Sequence, residues 1–198
     1  MSDRNLDQTE RSRSQRSDAR RNRERILAAA KDAFAAGGAA TSMAEIARRA
    51  SIGSATLYRN FPDRRALLEA LYSEEVDAIT TAAEAPGATD LARLQDWLRR
   101  FAEYFTGKQA LAGELLKDAS PNSAVFGDGY TRIAAAGEQL VVAAHRSGQL
   151  RPDLDLQQLF ALVGAITGLR ASPEFTTLLL EQALALLATP IGDAAPPN

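Results

Sequence analysis

Few residues in this chain could carry covalent chemistry. Cysteine is absent and His145 is the sole histidine. Ser147 lies two residues from it, and positions i and i+2 on a helix do not face each other. Asp153 and Asp155 read better as a turn residue and a helix cap. No paired-carboxylate, phosphate-loop or metal-ligand spacing is present, so neither a cofactor nor a metal is expected. The residues that stand out instead suit binding. Ser54, Ala55, Thr56, Tyr58, Arg59 and Asn60 fall in one short run, with Thr41 and Ser42 before it and Arg64 after it. Thr56 offers a methyl to a thymine or a hydroxyl to a base or phosphate. Arg59 can fork onto a guanine or hold a phosphate. Thr41 and Ser42 mark a helix start, where hydroxyls and free amides can bind phosphate. Arg64 places a cation at another helix start, against the macrodipole, and a phosphate between the two would relieve that conflict.

The elements that must position these groups are legible between residues 41 and 71. Ser42 and Glu45 have the spacing of a capping box, which opens a helix. Met43, Ile46, Ala47 and Ala50 then recur at helical spacing. Ser51-Ile52-Gly53 breaks it, with Gly53 read as the residue that relaxes the backbone. Residues 54–61 form a second short helix that Pro62 ends. Within it, Leu57 and Phe61 are four apart and point inward, against Ile46, Phe34 and Leu67. A preceding helix over residues 20–36 carries Ile26, Leu27, Ala30, Ala33 and Phe34 as an apolar stripe, closed by Gly37-Gly38. A following helix starts at Asp63 and carries Ala66, Leu67, Ala70, Leu71, Val76 and Ile79. Helix, turn and second short helix make a device that lays its second helix in the major groove of DNA.

The same residues carry a resemblance. Ala47-Arg48-Arg49-Ala50, Ile52-Gly53, Thr56-Leu57-Tyr58-Arg59-Asn60-Phe61-Pro62, Arg64 and Ala66-Leu67-Leu68 resemble the TetR family of bacterial transcriptional regulators. The likeness is specific over about residues 23–71. It implies an all-α chain: an N-terminal three-helix helix-turn-helix DNA-binding domain, and a larger helical domain that dimerises and holds a small-molecule effector. Tyr58 resembles the family tyrosine that contacts phosphate through its hydroxyl; the alternative is an amphipathic filler. Arg64 aligns with a basic residue that the family uses at this helix start. Four positions depart from the pattern. Ser51 stands where glycine is common, which predicts slight strain in the turn. Asn60 stands where histidine is common and can still donate to phosphate. Ser54 replaces a lysine, and Arg65 stands where glutamate is frequent. These changes leave the operator sequence open.

Charge agrees with that division. The net charge of −2 conceals two opposed parts. Residues 1–65 hold 14 Lys/Arg against 8 Asp/Glu, a net +6, while residues 66–198 hold 9 against 17, a net −8. The basic part coincides with the helix-turn-helix, where phosphate contacts need positive charge. Residues 1–19 are nearly devoid of apolar side chains and are expected to be a disordered polar arm. Its Arg11, Arg13 and Arg16, with Arg20 and Arg21, suit either phosphate contact or plain solvation. The DNA-binding domain is expected over 20–71, the effector and dimerisation domain over 72–189, and a flexible tail over 190–198. No apolar run nears the ~18 residues needed to span a bilayer, so a cytoplasmic protein is expected.

About nine helices are expected in all. Beyond the break at residues 85–88, Leu91, Leu94, Leu98, Phe101 and Phe105 mark one helix, and residues 111–117 a separate short one. A long helix follows over residues 123–147, its start weakened by Gly127, Gly129 and Gly137 at ~1 kcal/mol each relative to alanine. Two more run over 155–169 and 173–187. Ala161, Gly164, Ala165 and Gly168 line one face of the first of these and permit close helix approach. With Leu179, Leu180, Ala183 and Leu187 of the last helix, they form the expected dimer interface. Trp97, Phe101, Tyr104, Phe105, Phe126, Tyr130 and His145 are the candidates for an effector pocket, although a stripe of aromatics at helical spacing also suits plain core. The reading that follows is a homodimeric repressor released from operator DNA by a small-molecule effector; a helical enzyme and a DNA-independent dimeric adaptor are the alternatives.

Overall fold

A computed structural model describes residues 3–37, 41–118 and 124–189, with side chains described over 17–36, 41–107 and 127–189. It contains eight helices: α1 (Asp3–Gly37), α2 (Met43–Arg49), α3 (Ser54–Asn60), α4 (Arg64–Ala82), α5 (Asp90–Asp118), α6 (Ala124–Arg146), α7 (Leu156–Thr167) and α8 (Pro173–Ala185). No strand occurs among the described residues; the one isolated bridge joins Leu150 to Ala188. The chain divides into two compact units, Met1–Leu71 and Tyr72–Asn198.

In the N-terminal unit the apolar stripe of α1 buries Ile26, Leu27, Ala30, Ala33 and Phe34. Ile46, Ala47 and Ala50 from α2, Leu57 and Phe61 around α3, and Leu67, Leu68 and Leu71 from α4 complete this core. Two expectations change here. The first helix does not begin near Arg20 but at Asp3, inside the stretch expected to be a disordered arm. No glycine or proline interrupts residues 3–36, so nothing in the sequence stops a helix already nucleated by packing from extending toward its N-terminus. Arg11, Arg13 and Arg16 lie outside the described side chains. The capping box is also only half formed. The Ser42 hydroxyl accepts from the Glu45 amide at 3.2 Å, but the Glu45 carboxylate turns to Arg48 and Arg49 instead.

The turn after α2 is a Schellman motif. The Ser51 amide donates to the Arg48 carbonyl at 3.1 Å and the Ile52 amide to the Ala47 carbonyl at 3.0 Å, the paired bonds that close a helix end. The residue in the left-handed region is Ser51, with φ 53°, as the departure at that position predicted. Gly53, read from the sequence as the relaxing residue, has ordinary extended geometry (φ −72°, ψ 149°) and caps α3 without a side-chain bond. The same motif ends α6, where Gly148 takes φ 66° and the Gln149 amide reaches the Ala144 carbonyl at 3.0 Å.

The C-terminal unit packs α4 from Tyr72 onward with α5 to α8. Its core holds Tyr72, Val76, Ile79, Leu94, Trp97, Leu98, Ile133, Leu140, Leu156, Leu159, Val163 and Leu184, among others. The short helix expected over residues 111–117 is the end of α5, which runs unbroken because isolated glycines do not stop a packed helix. Likewise α6 starts at Ala124 despite its glycines. Two of these glycines are sites of close approach. A Cβ on Gly137 would lie 2.6 Å from the Trp97 ring, and one on Gly129 would lie 2.5 Å from the Tyr72 hydroxyl. Arg99 of α5 grips Glu181 of α8 through two bonds of 2.7 and 2.8 Å, and Gln95 donates to the Leu184 carbonyl at 2.9 Å.

Candidate nucleic-acid interface

The two inward residues of the α3 region sort all the others. Leu57 and Phe61 are buried, so Ser54, Ala55, Tyr58 and Arg59 project to solvent, with Thr56 and Asn60 half-buried beside them. Tyr58 is 50% exposed, a large open area for an aromatic side chain. The Arg59 guanidinium donates to the Thr56 hydroxyl at 3.0 Å, and the Asn60 amide donates to the Thr56 carbonyl at 2.8 Å. These bonds run along one short helix, so they hold the donors in an ordered row without burying them. The row presents an arginine, a tyrosine and small hydroxyl side chains, which suits hydrogen bonding to base edges and phosphates.

The flanking candidates divide differently. Ser42 is exposed at the N-cap of α2. Thr41 is not available: it is only 7% exposed, and its hydroxyl donates to the Ala33 carbonyl at 2.9 Å. That bond ties the residues before α2 back to α1. Arg64 also has internal partners. It donates to the Thr41 carbonyl, and its guanidinium carbon lies 4.8 Å from the centre of the Phe34 ring, so no phosphate is needed to hold a cation at this helix start. Arg48 and Arg49 share Glu45 and pull its carboxyl down from 4.5 to about 2, Arg48 having the larger effect. Sequence reasoning missed two further cations with internal work. Arg23 lies over the Phe61 ring at 4.6 Å, and Arg25 donates to the Ala50 carbonyl at 2.6 Å. Both partners are distant in sequence, and nothing local points to either.

In the C-terminal unit five of the seven expected pocket residues, Trp97, Phe101, Tyr104, Phe105 and Tyr130, form a packed aromatic seam. Trp97 is buried and its indole donates to the Ile79 carbonyl at 2.9 Å. Phe101 stacks on Phe160 with ring centres 4.3 Å apart, and Phe160 also meets Trp97 and Tyr130 at 6.1 and 6.3 Å. Phe160, the hub of the seam, was not singled out from sequence, because it sits between the apolar residues of α7 like any other core side chain. Phe105 packs on Phe101. Tyr104 is buried and bonded to Tyr72; burial first, and that bond second, push its hydroxyl well above the usual tyrosine range. Tyr130 is half exposed and donates to Gln157 at 3.2 Å. His145 stands apart from the seam, at 3.2 Å from the Arg151 carbonyl near the end of α6. Phe126 lies outside the described side chains. A surface cleft of about 590 Å³ lies elsewhere, lined by Asp77, Ala78, Thr81, Ala82, Glu84, Ala85 and Arg100; none of the candidates with described side chains borders it.

The residues expected at a dimer face divide between surface and core. Ala161, Ala165 and Gly168 are exposed, and Gly164 and Ala183 are half-buried. Gly164 instead faces the Phe105 ring of its own chain. Leu180 and Leu187 lie in the core of the single chain, with Leu179 packed against it. Beyond α6, the large apolar residues left open among the described residues are Leu169, Phe175, Leu178 and Leu186. Burial of Leu180, Leu184 and Leu187 sets the inward side of the α8 region, and the sequence, apolar over 178–180 and again at 183, 184, 186 and 187, does not reveal which leucines face which way.

A three-helix head with an outward second reading helix, followed by a larger helical unit, defines a helix-turn-helix DNA-binding regulator. The family model for bacterial regulatory proteins of the tetR family matches residues 26–71, and the model for the C-terminal domain of SbtR-like transcriptional regulators matches residues 86–188. The chain is similar to the TetR transcriptional regulator SCO0520 of Streptomyces coelicolor, at 34% identity over 84% of this chain and 98% of that one, with a TM-score of 0.71. It is also similar to a TetR regulatory protein of Mycobacterium vanbaalenii, at 29% identity over 88% and 99% of the two chains, with a TM-score of 0.73. Salmonella enterica GusR matches at 25% identity over 84% and 95%, with a TM-score of 0.58. Comparison with curated proteins returns no match. The chain belongs to the TetR family of transcriptional regulators, and is a DNA-binding regulator rather than an enzyme. No described helix is long and apolar enough to cross a membrane.

Proposed function

We infer that this chain acts as a homodimeric, cytoplasmic repressor that reads operator DNA through Ser54, Ala55, Thr56, Tyr58, Arg59 and Asn60, with Ser42 at the backbone, and that a small-molecule effector releases it. The observation that carries this reading is the sidedness of α3: Leu57 and Phe61 are buried while Tyr58 and Arg59 are exposed next to them. Thr41 and Arg64 support the site from within. Dimerisation is supported by the open apolar residues Leu169, Phe175, Leu178 and Leu186, together with the exposed small residues Ala161, Ala165 and Gly168. Two-fold pairing of reading heads matches half-sites about one helical turn apart. The aromatic seam around Phe160 supports an effector with a large flat apolar part, whose binding would require the seam to part and so favour one arrangement of the helices over another.

The test begins with selection of bound duplexes from a random pool by the purified protein. A two-fold symmetric consensus is expected. Arg59→Ala should abolish selective binding while sedimentation still reports a dimer. Recovery of no consensus, or full affinity in Arg59→Ala, would remove α3 from its proposed role. Effector release is checked by adding small apolar aromatics to the complex and following dissociation.

A further inference from the structure

Arg25 projects from α1, and among the described residues its partners are backbone oxygens rather than a carboxylate. Its neighbour Glu24 pairs with Arg20. The Arg25 guanidinium donates to the Ala50 carbonyl at 2.6 Å and lies 3.5 Å from the Ser51 carbonyl. Ala50 is the C-cap of α2, and Ser51 is the left-handed residue of the turn. A cation at a helix C-terminus is favoured by the macrodipole, and a charge-assisted bond to a carbonyl is stronger than a neutral one. So α1 grips, across 25 residues of sequence, the point at which the chain changes direction toward α3. Apart from the Schellman bonds of the turn itself, few side chains fix that departure. Gly53 caps α3 with no side-chain bond, and Leu57 is the one buried side chain of the seven-residue helix, with Phe61 just past its end.

We propose that Arg25 is a positioning residue for DNA recognition: by holding the Ala50 and Ser51 carbonyls from α1 it sets the angle at which α3 leaves the turn, and it does not itself contact phosphate. This rests on α3 being the DNA-facing helix. A positioning role makes a forecast that phosphate contact does not. Loss of Arg25 should weaken selective binding and leave nonselective binding and its salt dependence alone, because no counterion-releasing contact is removed.

The probes are a duplex selected from a random pool by the wild-type protein and a scrambled duplex of equal length, titrated by fluorescence anisotropy across a range of salt. Arg25→Ala is expected to weaken the selected duplex about tenfold with the salt slope unchanged, within the range that one lost base contact would give. Arg25→Lys keeps the charge but loses the planar fork and should fall between the two. Adding Ser51→Gly to Arg25→Ala should restore part of the loss, since glycine holds the left-handed turn without a clamp. Equal weakening of both duplexes with a slope shallower by about 0.9 would assign Arg25 to phosphate instead and overturn the proposal. So would wild-type affinity in Arg25→Ala, or no recovery in the double variant. Failure of the wild-type protein to select any duplex would strike the reading of α3, not the clamp. The clamp is then judged without DNA, by hydrogen exchange at the Ser51 and Ile52 amides: faster exchange in Arg25→Ala sustains it and unchanged exchange overturns it.

Discussion

Ser51→Gly should stabilise the N-terminal unit. Ser51 holds φ 53°, a region that costs an L-residue roughly 1–2 kcal/mol. Glycine removes that cost but carries a larger entropy loss on folding, roughly 0.5–1 kcal/mol. Ser51 is exposed and its hydroxyl makes no bond among the described residues, so nothing else is forfeited. The net gain is therefore about 0.5–1 kcal/mol. Gly148 provides the mirror experiment inside the same chain: it occupies an equivalent Schellman motif at φ 66°, with no atom within 4 Å of a Cβ among the described residues. Gly148→Ser should cost a similar amount. The two changes need different probes because they lie in different units. Trp97, the sole tryptophan, reports denaturant unfolding of the C-terminal unit and serves for Gly148→Ser. For Ser51→Gly, native-state hydrogen exchange at the Ile52 and Phe61 amides, which bond to the Ala47 and Leu57 carbonyls, should slow by a factor of about two to five. Exchange that is unchanged or faster in Ser51→Gly, while Gly148→Ser destabilises, would mean that the Ser51 turn stores no strain.

Three further outcomes follow from the same contacts. Gly137→Ala should destabilise the C-terminal unit, because overpacking against Trp97 and Leu156 costs about 1–3 kcal/mol and exceeds the ~1 kcal/mol propensity gain of alanine; Gly127→Ala, with nothing within 4 Å of its Cβ among the described residues, should stabilise, and Trp97 fluorescence melts report both signs. Glu45 titrates at about 2 when folded, against an ordinary 4.5, so its pairing contributes stability above pH 4.5 that is lost as pH falls toward 2; Glu45→Gln should flatten the dependence of melting temperature on pH across that window. Leu178→Glu places a charge on a residue already 54% exposed, so it should leave helical content intact yet yield a monomer in sedimentation, and a persisting dimer would move the interface elsewhere.

The DNA-facing unit was legible because short-range rules decide it. A cap at Ser42, apolar residues at helical spacing and a proline after Phe61 set α2 and α3 before any long-range contact is considered. Leu57 and Phe61 then had to point inward, and they do. In detail the turn departs from the sequence expectation: glycine is the usual relaxing residue, yet the register of the Schellman bonds puts the left-handed position at Ser51 and leaves Gly53 extended. The C-terminal unit was legible only as helices. Its leucines repeat so densely in α8 that periodicity assigns no face, and which of them are buried depends on where α5 and α7 lie. Gly129 and Gly137 show the same limit. Propensity marks them as weak points in a helix, while their role is to admit Tyr72 and Trp97, residues far away in sequence.

Charge illustrates the limit most sharply, because counting it treats every cation of the basic unit alike. The structure divides them by partner. Arg20 and Arg21 hold exposed carboxylates, and Arg48, Arg49 and Arg65 hold half-buried ones at the surface; such surface pairs are worth little in water, so a phosphate can exchange for the carboxylate at small cost. Arg23, Arg25 and Arg64 hold ring faces and backbone carbonyls, and moving any of them to a phosphate would leave a strained turn, a bare aromatic face or an orphaned carbonyl behind. Arg59 belongs to neither group: its described partner is the neutral Thr56 hydroxyl on its own helix, a bond that positions the guanidinium without consuming its charge. The 14 Lys/Arg of residues 1–65 are thus more cations than DNA can draw upon. The salt slope of binding should track the exchangeable arginines and Arg59, and should be insensitive to the three that hold the head together.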